Sequence, residues 1–344
     1  SFSQYSVNYH RMMLDTMCMV ELWRRHLNLS PFPENWQSRI VSAVYWLYAM
    51  VDSNTGDAPN LGANDGAHLL ALSDADYRDF RPSVQLSMVL FVGKLAYQGN
   101  GAWNNTLDWL GVKLPVELAI QTDNYLFDNG GYAVFRKNNA MALLRFPRFR
   151  FRPSQADALH VDLWVAGKSL LSDAGTYSYN TEKKWLDYFS GTLGHNTIQF
   201  DDRDQMPRLS RFLFGEWLKS SYELTRLADD TQLFRASYRD YKNASHTRSI
   251  RLTDDGLSVY DEIAGLKDKA ILRWRLCPGQ WQINDQSLTL GSHSLNITAS
   301  APIIRFEIVE GWESRYYLQK TSAPVLEVEL SQEGKIVTEF RLHS

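Results

Sequence analysis

The sequence lacks the residue patterns that define several common classes of active site. It has two cysteines, Cys18 and Cys277, in distant apolar segments. No disulfide framework and no cysteine-based metal site are therefore predicted, and each thiol is expected to be buried. The sequence also contains no glycine-rich phosphate loop and no Gly-x-Ser-x-Gly elbow, so neither of these active-site types is predicted.

Charge and hydropathy argue against two kinds of partner. The 36 basic and 39 acidic side chains are well mixed, with a net charge of −3 and no lysine- or arginine-rich run, so nucleic acid is not an expected partner. No apolar run approaches the length that crosses a bilayer, so no membrane span is expected. The chain begins inside a helical pattern without a visible leader. We therefore expect it to be the C-terminal part of a longer protein, which leaves its compartment open.

Aromatic residues, by contrast, are abundant. They make up 13% of the 344 residues, with 11 tryptophans and 17 tyrosines. Ring faces stack on the apolar faces of sugars, and the cores of large β-sheets also use many aromatic residues. The composition leaves both interpretations open.

The spacing of apolar residues divides the chain into two halves. Helical periodicity predicts four helices before about residue 115, with a long polar loop over 53–81 that is either functional or disordered. After Pro115 the period is two, and short strand patterns separated by turn signals predict stacked antiparallel sheets. The predicted helices are 7–29, 35–51, 83–97 and 102–110, and the predicted strands include 131–136, 140–146, 257–261, 271–276, 288–290, 295–299, 303–309, 325–330 and 336–342.

Polar side chains with metal-binding or proton-transfer chemistry gather in residues 154–197. An alternating strand over 158–165 and the turns that follow supply five of them from one compact region. The structural alternative is that the aspartates and histidines of this region bond to turns. The five residues are Gln155, Asp157, His160, Asp173 and His195.

Two segments of the helical half carry further candidates. Asn8 and His10 lie at the start of the first helix, where they can bind an anion, unless Asn8 is a cap and His10 a surface residue. Tyr77 lies between an aspartate and two arginines, which can depress the pKa of its phenol. Arg78 and Arg81 can clamp an acidic sugar, unless they pair with neighbouring aspartates in a solvated loop.

Four segments, taken in order, resemble the heparinase II/III-like polysaccharide lyases. They are NYHRMMLD at 8–15, DYRDFRPS at 76–83 after an Asn-Asp-Gly loop, QADALHVDLWVAGKSLLSDAGTYSYN at 155–180, and GHNTIQFDDRDQM at 194–206. The resemblance covers nearly the whole chain and is most specific over 153–206. It implies an α+β multidomain fold, with the last helices of an (α/α) toroid in 1–117 and an antiparallel β-sandwich in 118–344. The N-terminal part of the toroid would then be missing from this chain.

The resemblance also implies an activity, the β-elimination of a uronate-containing polysaccharide, with an acidic bacterial glycan as the expected partner and a periplasmic or secreted location favoured. No cofactor is required for that chemistry. Asn8 and His10 would neutralise the uronate carboxylate, Tyr77 would give a proton to the leaving oxygen, and His160 is a candidate base or replacement metal ligand. The candidate substrate-binding residues are Arg78, Arg81, Tyr177 and Gln155.

One motif departs from the zinc-binding members of the family, whose first strand starts His-x-His-x-Asp. Here Pro153 stands in the catalytic-histidine position and Gln155 in the zinc-ligand position, whereas Asp173 and His195 match the later two ligands. Glutamine is a poor zinc ligand, so we predict weak or absent zinc. Either Gln155, Asp173 and His195 form a hydrogen-bonded core, or His160 supplies the missing ligand.

Two other functions remain open at this point. One is a non-catalytic glycan-binding or polysaccharide-assembly protein that keeps the lyase fold, which Pro153 and Gln155 favour. The other is a toroid glycoside hydrolase with paired carboxylates. The carboxylates available for the hydrolase are Asp57, Asp65, Asp76 and Asp79.

Overall fold

The computed structural model describes residues 5–342, and the chain divides into two compact units, Ser1–Thr122 and Asp123–Ser344. The first unit contains helices, and the second contains antiparallel sheets. The predicted fold class, helices followed by an antiparallel β-sandwich, is confirmed. The assignment of the helices to a toroid stays a prediction.

The first unit is built from short helices around a small apolar core. The hydroxyl of Ser6 accepts a hydrogen bond from the backbone of Tyr9 at 3.1 Å and so caps the first helix. The third helix ends at Phe91 rather than at residue 97, because Gly93 adopts a left-handed backbone and its N–H bonds back to Met88. The helices are α1 (Val7–His26), α2 (Glu34–Met50), α3 (Arg81–Phe91) and α4 (Asn105–Trp109), with a 3₁₀ turn at Ala102–Asn104.

The polar loop between α2 and α3 is irregular but tied to the start of α1. The backbone N–H of Val7 bonds to Leu61 at 3.2 Å, and the Ser6 hydroxyl donates to the Ala63 carbonyl at 2.5 Å. Gly62 lies against this turn with a φ of +79°, and a side chain there would meet the Tyr5 carbonyl. The loop therefore lies against the N-terminal turn of α1.

The second unit consists mainly of strands, with one regular helix, α5 (Lys183–Ser190), within the described residues 123–342. The strands up to residue 226 are β1 (Asn124–Phe127), β2 (Tyr132–Lys137), β3 (Ala140–Arg145), β4 (Val161–Val165), β5 (Lys168–Leu171), β6 (Ile198–Phe200), β7 (Arg208–Ser210), β8 (Leu213–Phe214) and β9 (Ser220–Arg226). Those that follow are β10 (Gln232–Arg239), β11 (Ser245–Leu252), β12 (Gly256–Ala264), β13 (Ala270–Arg275), β14 (Gln282–Asn284), β15 (Ser287–Leu290), β16 (His293–Ala299), β17 (Ile303–Glu313), β18 (Thr321–Leu330) and β19 (Gly334–Arg341).

These strands form antiparallel sheets that share one hydrophobic core. A five-stranded sheet runs β1-β2-β3-β4-β5, an eight-stranded sheet runs β14-β15-β16-β19-β12-β11-β10-β9, and a four-stranded sheet runs β17-β18-β13-β6. A short β7-β8 ribbon completes the set. Buried residues from the three larger sheets, such as Leu144, Phe234 and Trp274, belong to the same apolar cluster. This common core is what joins the layers of the sandwich.

The strand predicted over 158–165 differs from the observed one. β4 begins at Val161, and Leu159 has a left-handed φ of 58° in the turn before it. His160 therefore precedes the strand. Residues 161–164 are buried on both faces of the sheet, so the in-and-out alternation read from the sequence does not exist here.

Candidate functional site

The first unit contains an amide–phenol cluster, which we define as Asn8, Arg11, Asn64 and Tyr77. The phenol of Tyr77 lies 2.9 Å from Asn8 Oδ1 and 2.8 Å from Asn64 Oδ1. Arg11 donates to Asn8 Oδ1 at 2.7 Å, and its guanidinium lies 4.5 Å above the Tyr77 ring. Helix α1 and the polar loop thus meet at the Tyr77 hydroxyl, which has one proton to donate and faces two amide oxygens.

The orientation of the Asn8 amide follows from its partner. Arginine has no acceptor atom, so the Asn8 atom that faces Arg11 must be the oxygen. The amide nitrogen, Nδ2, then points elsewhere. It is buried, and it has no hydrogen-bond partner within residues 5–342. A buried donor without a partner is costly in a folded protein, so this nitrogen is a candidate donor to a ligand oxygen or to a water molecule.

The structure does not bring His10 to this cluster. Its Nε2 lies 2.8 Å from the Ala43 carbonyl on α2, and its ring lies 4.4 Å from that of Trp46. Two helical residues that are two positions apart project from nearly opposite faces, so Asn8 and His10 cannot both face the loop. Burial lowers the His10 pKa to about 3, which keeps the ring neutral. The expected Asn8–His10 pair is therefore not formed.

The pKa of Tyr77 moves opposite to the sequence expectation. Burial raises it above its usual value, and the nearby guanidinium of Arg11 only partly offsets that effect. The phenol therefore stays protonated at neutral pH. It is suited to donate a proton rather than to remove one.

His68 lies next to Tyr77 and was not singled out by the sequence. The two rings are in an edge-to-face arrangement with centroids 6.1 Å apart. Burial, and then the charge of Arg11, lower the pKa of His68 to about 4. The ring is partly exposed and neutral at pH 7, so it can accept a proton from a bound molecule.

Arg78 and Arg81 do not act as a free clamp for an acidic sugar. Arg78 is buried and pairs with Asp57 at 2.6 Å. Arg81 pairs with Asp79 at 2.7 Å, and its guanidinium lies 4.5 Å from the Trp103 ring. Both arginines stabilise the loop, so their assignment as substrate-binding residues is not supported.

The second unit contains a buried polar cluster, which we define as His160, Asp162, Asp173 and His195. Asp173 Oδ2 lies 3.6 Å from His195 Nδ1 and 3.8 Å from His160 Nε2. Asp162 lies 3.4 Å from the same atom of His160. Each of the four side chains is at most 1% exposed. Burial raises the Asp173 pKa to about 7 and lowers the pKa of His195 well below its ordinary value.

The proton positions of this cluster decide whether it suits zinc. Nδ1 of His160 accepts the backbone N–H of Asn196 at 2.9 Å. The ring proton must then sit on Nε2, the atom that faces Asp173, and a protonated nitrogen cannot bind a metal. His160, Asp173 and His195 are close enough to surround one ion, but only Asp173 and His195 have a free ligand atom.

These residues therefore do not fit a zinc centre. Structural zinc sites have four protein ligands and catalytic ones usually three. Gln155 is buried nearby and donates to the Gly175 carbonyl at 3.4 Å, but glutamine is a poor zinc ligand. The same burial argues against His160 as a base for a substrate, because its ring is fully enclosed.

An arginine of the eight-stranded sheet, Arg248, bonds to the backbone next to the buried cluster. Arg248 Nη1 donates to the carbonyls of Leu159 and Asn196 at 2.6 Å each, next to His160 and His195. Its other nitrogens bond to Asp261 at 2.7 and 3.0 Å. This network holds the strained turn at Leu159 in place.

Comparison with known proteins identifies the family. Residues 120–339 match the sequence profile of the heparinase II/III-like C-terminal domain. The chain belongs to the heparinase II/III-like family. No curated protein matches the sequence.

Solved structures agree with this fold. The heparan sulfate lyase HepC from Pedobacter heparinus has a TM-score of 0.72 and 16% identity over 99% of this chain and 52% of HepC. A heparinase III structure has a TM-score of 0.74 and 15% identity over 98% of this chain and 54% of that protein. The chondroitin AC lyase from Streptomyces coelicolor A3 has a TM-score of 0.58 and 13% identity over 98% of this chain and 52% of the lyase. At these identities the likeness shows the fold, and the chain spans about half the length of these proteins.

The family signature accounts for some site residues and misses others. Asn8, Tyr77, Asp173 and His195 lie in the heparinase II/III-like segments, and the structure places the first two together and the last two together. Among the described residues, no helix combines the length and apolarity needed to cross a membrane. Sequence reasoning missed the contributions of Arg11, Asn64, His68 and Arg248. Arg11 and Asn64 lie in the NYHR and Asn-Asp-Gly segments, whereas His68 and Arg248 had no local signal.

Proposed function

We propose that this protein is a polysaccharide lyase that cleaves an acidic, uronate-containing glycan by β-elimination. The observation that carries the proposal is the buried, unpartnered Asn8 amide nitrogen beside the protonated phenol of Tyr77. Membership in the heparinase II/III-like family supports the same class of reaction.

The chemistry assigned to Asn8 is neutralisation of charge. The hydrogen at C5 of a uronate is weakly acidic while the adjacent carboxylate is ionised, because the carbanion would place a second negative charge beside the first. A hydrogen bond from Asn8 Nδ2 to a carboxylate oxygen stabilises the charge that develops there. The Arg11 guanidinium behind the amide polarises it in the same direction.

The two proton transfers are assigned to His68 and Tyr77. His68, neutral above about pH 4, takes the C5 proton. The electron pair forms the C4–C5 double bond, the C4–O bond breaks, and the leaving oxygen takes the phenolic proton of Tyr77. The two rings are close enough to reach adjacent atoms of one sugar. Solvent then restores both protonation states, and no cofactor takes part.

The hydrolase alternative has less support. A glycosidase of this kind needs two carboxyl groups that face the scissile bond. Asp57 and Asp79 are instead paired with Arg78 and Arg81, and Asp65 accepts the hydroxyl of Tyr9 at 2.9 Å.

The test is to incubate the full chain with hyaluronan, polygalacturonate and alginate and to record ultraviolet absorbance and product mass. We expect an unsaturated uronate at the new non-reducing end. Products without the double bond and heavier by one water would identify a hydrolase. Binding without any product would identify the non-catalytic glycan-binding alternative.

A further inference from the structure

The second unit carries a lysine that is held among three aromatic rings. The Lys320 ammonium lies 4.0 Å from the ring centroid of Trp185, 4.6 Å from that of Tyr177 and 5.7 Å from that of Trp312. All four side chains are partly exposed. We call this group the aromatic–lysine site, defined by Tyr177, Trp185, Trp312 and Lys320.

The site is assembled from four separate pieces of chain. Trp185 comes from α5, Trp312 from β17, Tyr177 from the segment after β5, and Lys320 from the turn before β18. The two indole rings meet edge to face at 5.4 Å.

Backbone hydrogen bonds join the turn to the Tyr177 segment. Leu318 N–H donates to the Tyr177 carbonyl at 2.8 Å, and Ser314 N–H donates to the Ala174 carbonyl at 2.7 Å. The positions of the rings and of the ammonium are therefore set by the fold and not by flexible side chains alone.

The charge of Lys320 is not neutralised locally. Other cations nearby have acidic partners, such as Lys183 with Asp187 at 2.5 Å and Lys184 with Glu182 at 3.0 Å. Within residues 5–342, no carboxylate forms an ion pair with Lys320. Aromatic faces attract a cation but accept no strong hydrogen bond, so the ammonium keeps donors available for an anion.

We propose that the aromatic–lysine site binds a carboxylated sugar residue of the glycan, with the ammonium of Lys320 on the carboxylate and the rings of Trp185 and Trp312 beside the apolar face of the sugar. The identity of the ligand class rests on the proposed lyase function. Aromatic surface next to a positioned cation is complementary to a uronate, which has an apolar ring face and one negative charge.

The experiment measures binding, so that it does not depend on turnover. Hyaluronan, polygalacturonate and alginate are titrated into the full chain by calorimetry, with Tyr77→Phe as the background to prevent cleavage. Lys320→Met should weaken binding by about 5- to 10-fold, the effect expected for one partly exposed charged hydrogen bond, and Lys320→Arg should restore most of it. The matched control is Lys335→Met, since Lys335 is 72% exposed and lies 3.7 Å from Glu262. Carboxyl-reduced polymer should bind the parent protein at least as weakly as the intact polymer binds Lys320→Met, because reduction also removes the carboxylate assigned to Asn8.

The outcomes separate this site from the lyase proposal. Weaker binding in Lys320→Met than in its Tyr77→Phe parent, with no unsaturated product from the protein that retains Tyr77, would support the site and reject the lyase. Unsaturated product from the protein that retains Tyr77, with equal binding by Lys320→Met and its Tyr77→Phe parent, would reject the site and keep the lyase. Equal losses of affinity in Lys320→Met and Lys335→Met would also overturn the site, as would the absence of binding to all three polymers. Unchanged unfolding temperatures of the variants exclude a folding defect.

Discussion

The buried polar cluster of the second unit allows a metal site to be restored by one substitution. Asp173 Oδ2 and His195 Nδ1 are 3.6 Å apart. Two ligands on one edge of a zinc tetrahedron are about 3.3 Å apart, given zinc–ligand distances of about 2.0–2.1 Å. Two ligands therefore already have nearly the correct spacing, and a third is missing because Nε2 of His160 carries a proton. We expect Gln155→His to add a neutral imidazole as the third ligand, because the resemblance matches this position with a zinc-binding histidine of the family.

The expected magnitude follows from linkage. The unaltered protein should contain well under one zinc per chain, and a chelator should not change its unfolding temperature. Gln155→His should take up about one zinc per chain. At a free zinc concentration one hundred times Kd, binding stabilises the folded state by about 2.7 kcal/mol. For a domain of this size, in which 1 kcal/mol shifts Tm by about 2–4 °C, that corresponds to a rise in Tm of roughly 5–11 °C.

The assay combines elemental analysis with thermal unfolding in zinc and in chelator. His195→Gln in the Gln155→His background is the control, and it should abolish both the bound zinc and the shift. One tightly held zinc in the unaltered protein, lost on Asp173→Asn together with several kcal/mol of stability, would refute the assignment of the His160 proton. If the cluster is protonated and binds no zinc, Asp173→Asn should lower the free energy of unfolding by at most about 1 kcal/mol. The reason is that a neutral amide replaces a carboxyl group whose neutral form is already favoured by burial.

Three further predictions concern catalysis and folding. Tyr77→Phe should lower turnover at least about a hundredfold with binding largely kept, and Asn8→Ala should also impair turnover, both followed by the absorbance of the unsaturated product. The profile of kcat/KM against pH should rise through about pH 4 as His68 loses its proton and fall only above pH 10, where Tyr77 ionises; an acid limb near pH 6.5 would contradict the role of His68. The pKa of Asp261 is about 2, because Arg248 and His246 more than offset the effect of burial. Ionised Asp261 should therefore add about 2 kcal/mol to the free energy of unfolding above pH 3.8, and this stabilisation should be lost as the pH falls towards 2. Asp261→Asn should then destabilise the protein by about 3–5 kcal/mol in urea unfolding at pH 7, since Arg248 would lose its counter-charge, and unchanged stability would refute this.

Local sequence patterns predicted the secondary structure well where one physical cause dominates. The hairpin of β2 and β3 forms as predicted, with Asn138 in a left-handed turn conformation at its tip. Pro82 lies in the first turn of α3, where a proline loses no hydrogen bond. Helix α5 was missed, since its polar residues resemble those of a loop and its apolar face is short.

The candidate site was only partly predictable. The resemblance pointed to Asn8 and Tyr77, which meet, and to Asp173 and His195, which meet. It also pointed to His10, which lies on the other side of α1, and the sequence alone could not show that His160 would be enclosed. Whether a histidine is a base, a ligand or a donor depends on neighbours that are distant in the chain.

The sequence by itself therefore determined a helical half followed by a β half, the family, and the segments that carry polar chemistry, because periodicity, turn residues and motifs act over a few positions. Only the tertiary structure decided the partners of each charged group. It paired Arg78 and Arg81 with aspartates, placed the backbone of Asn196 against His160, and set Lys320 among three rings. The physical reason is that the pKa, proton position and accessibility of a side chain depend on burial and long-range packing, which no local pattern encodes.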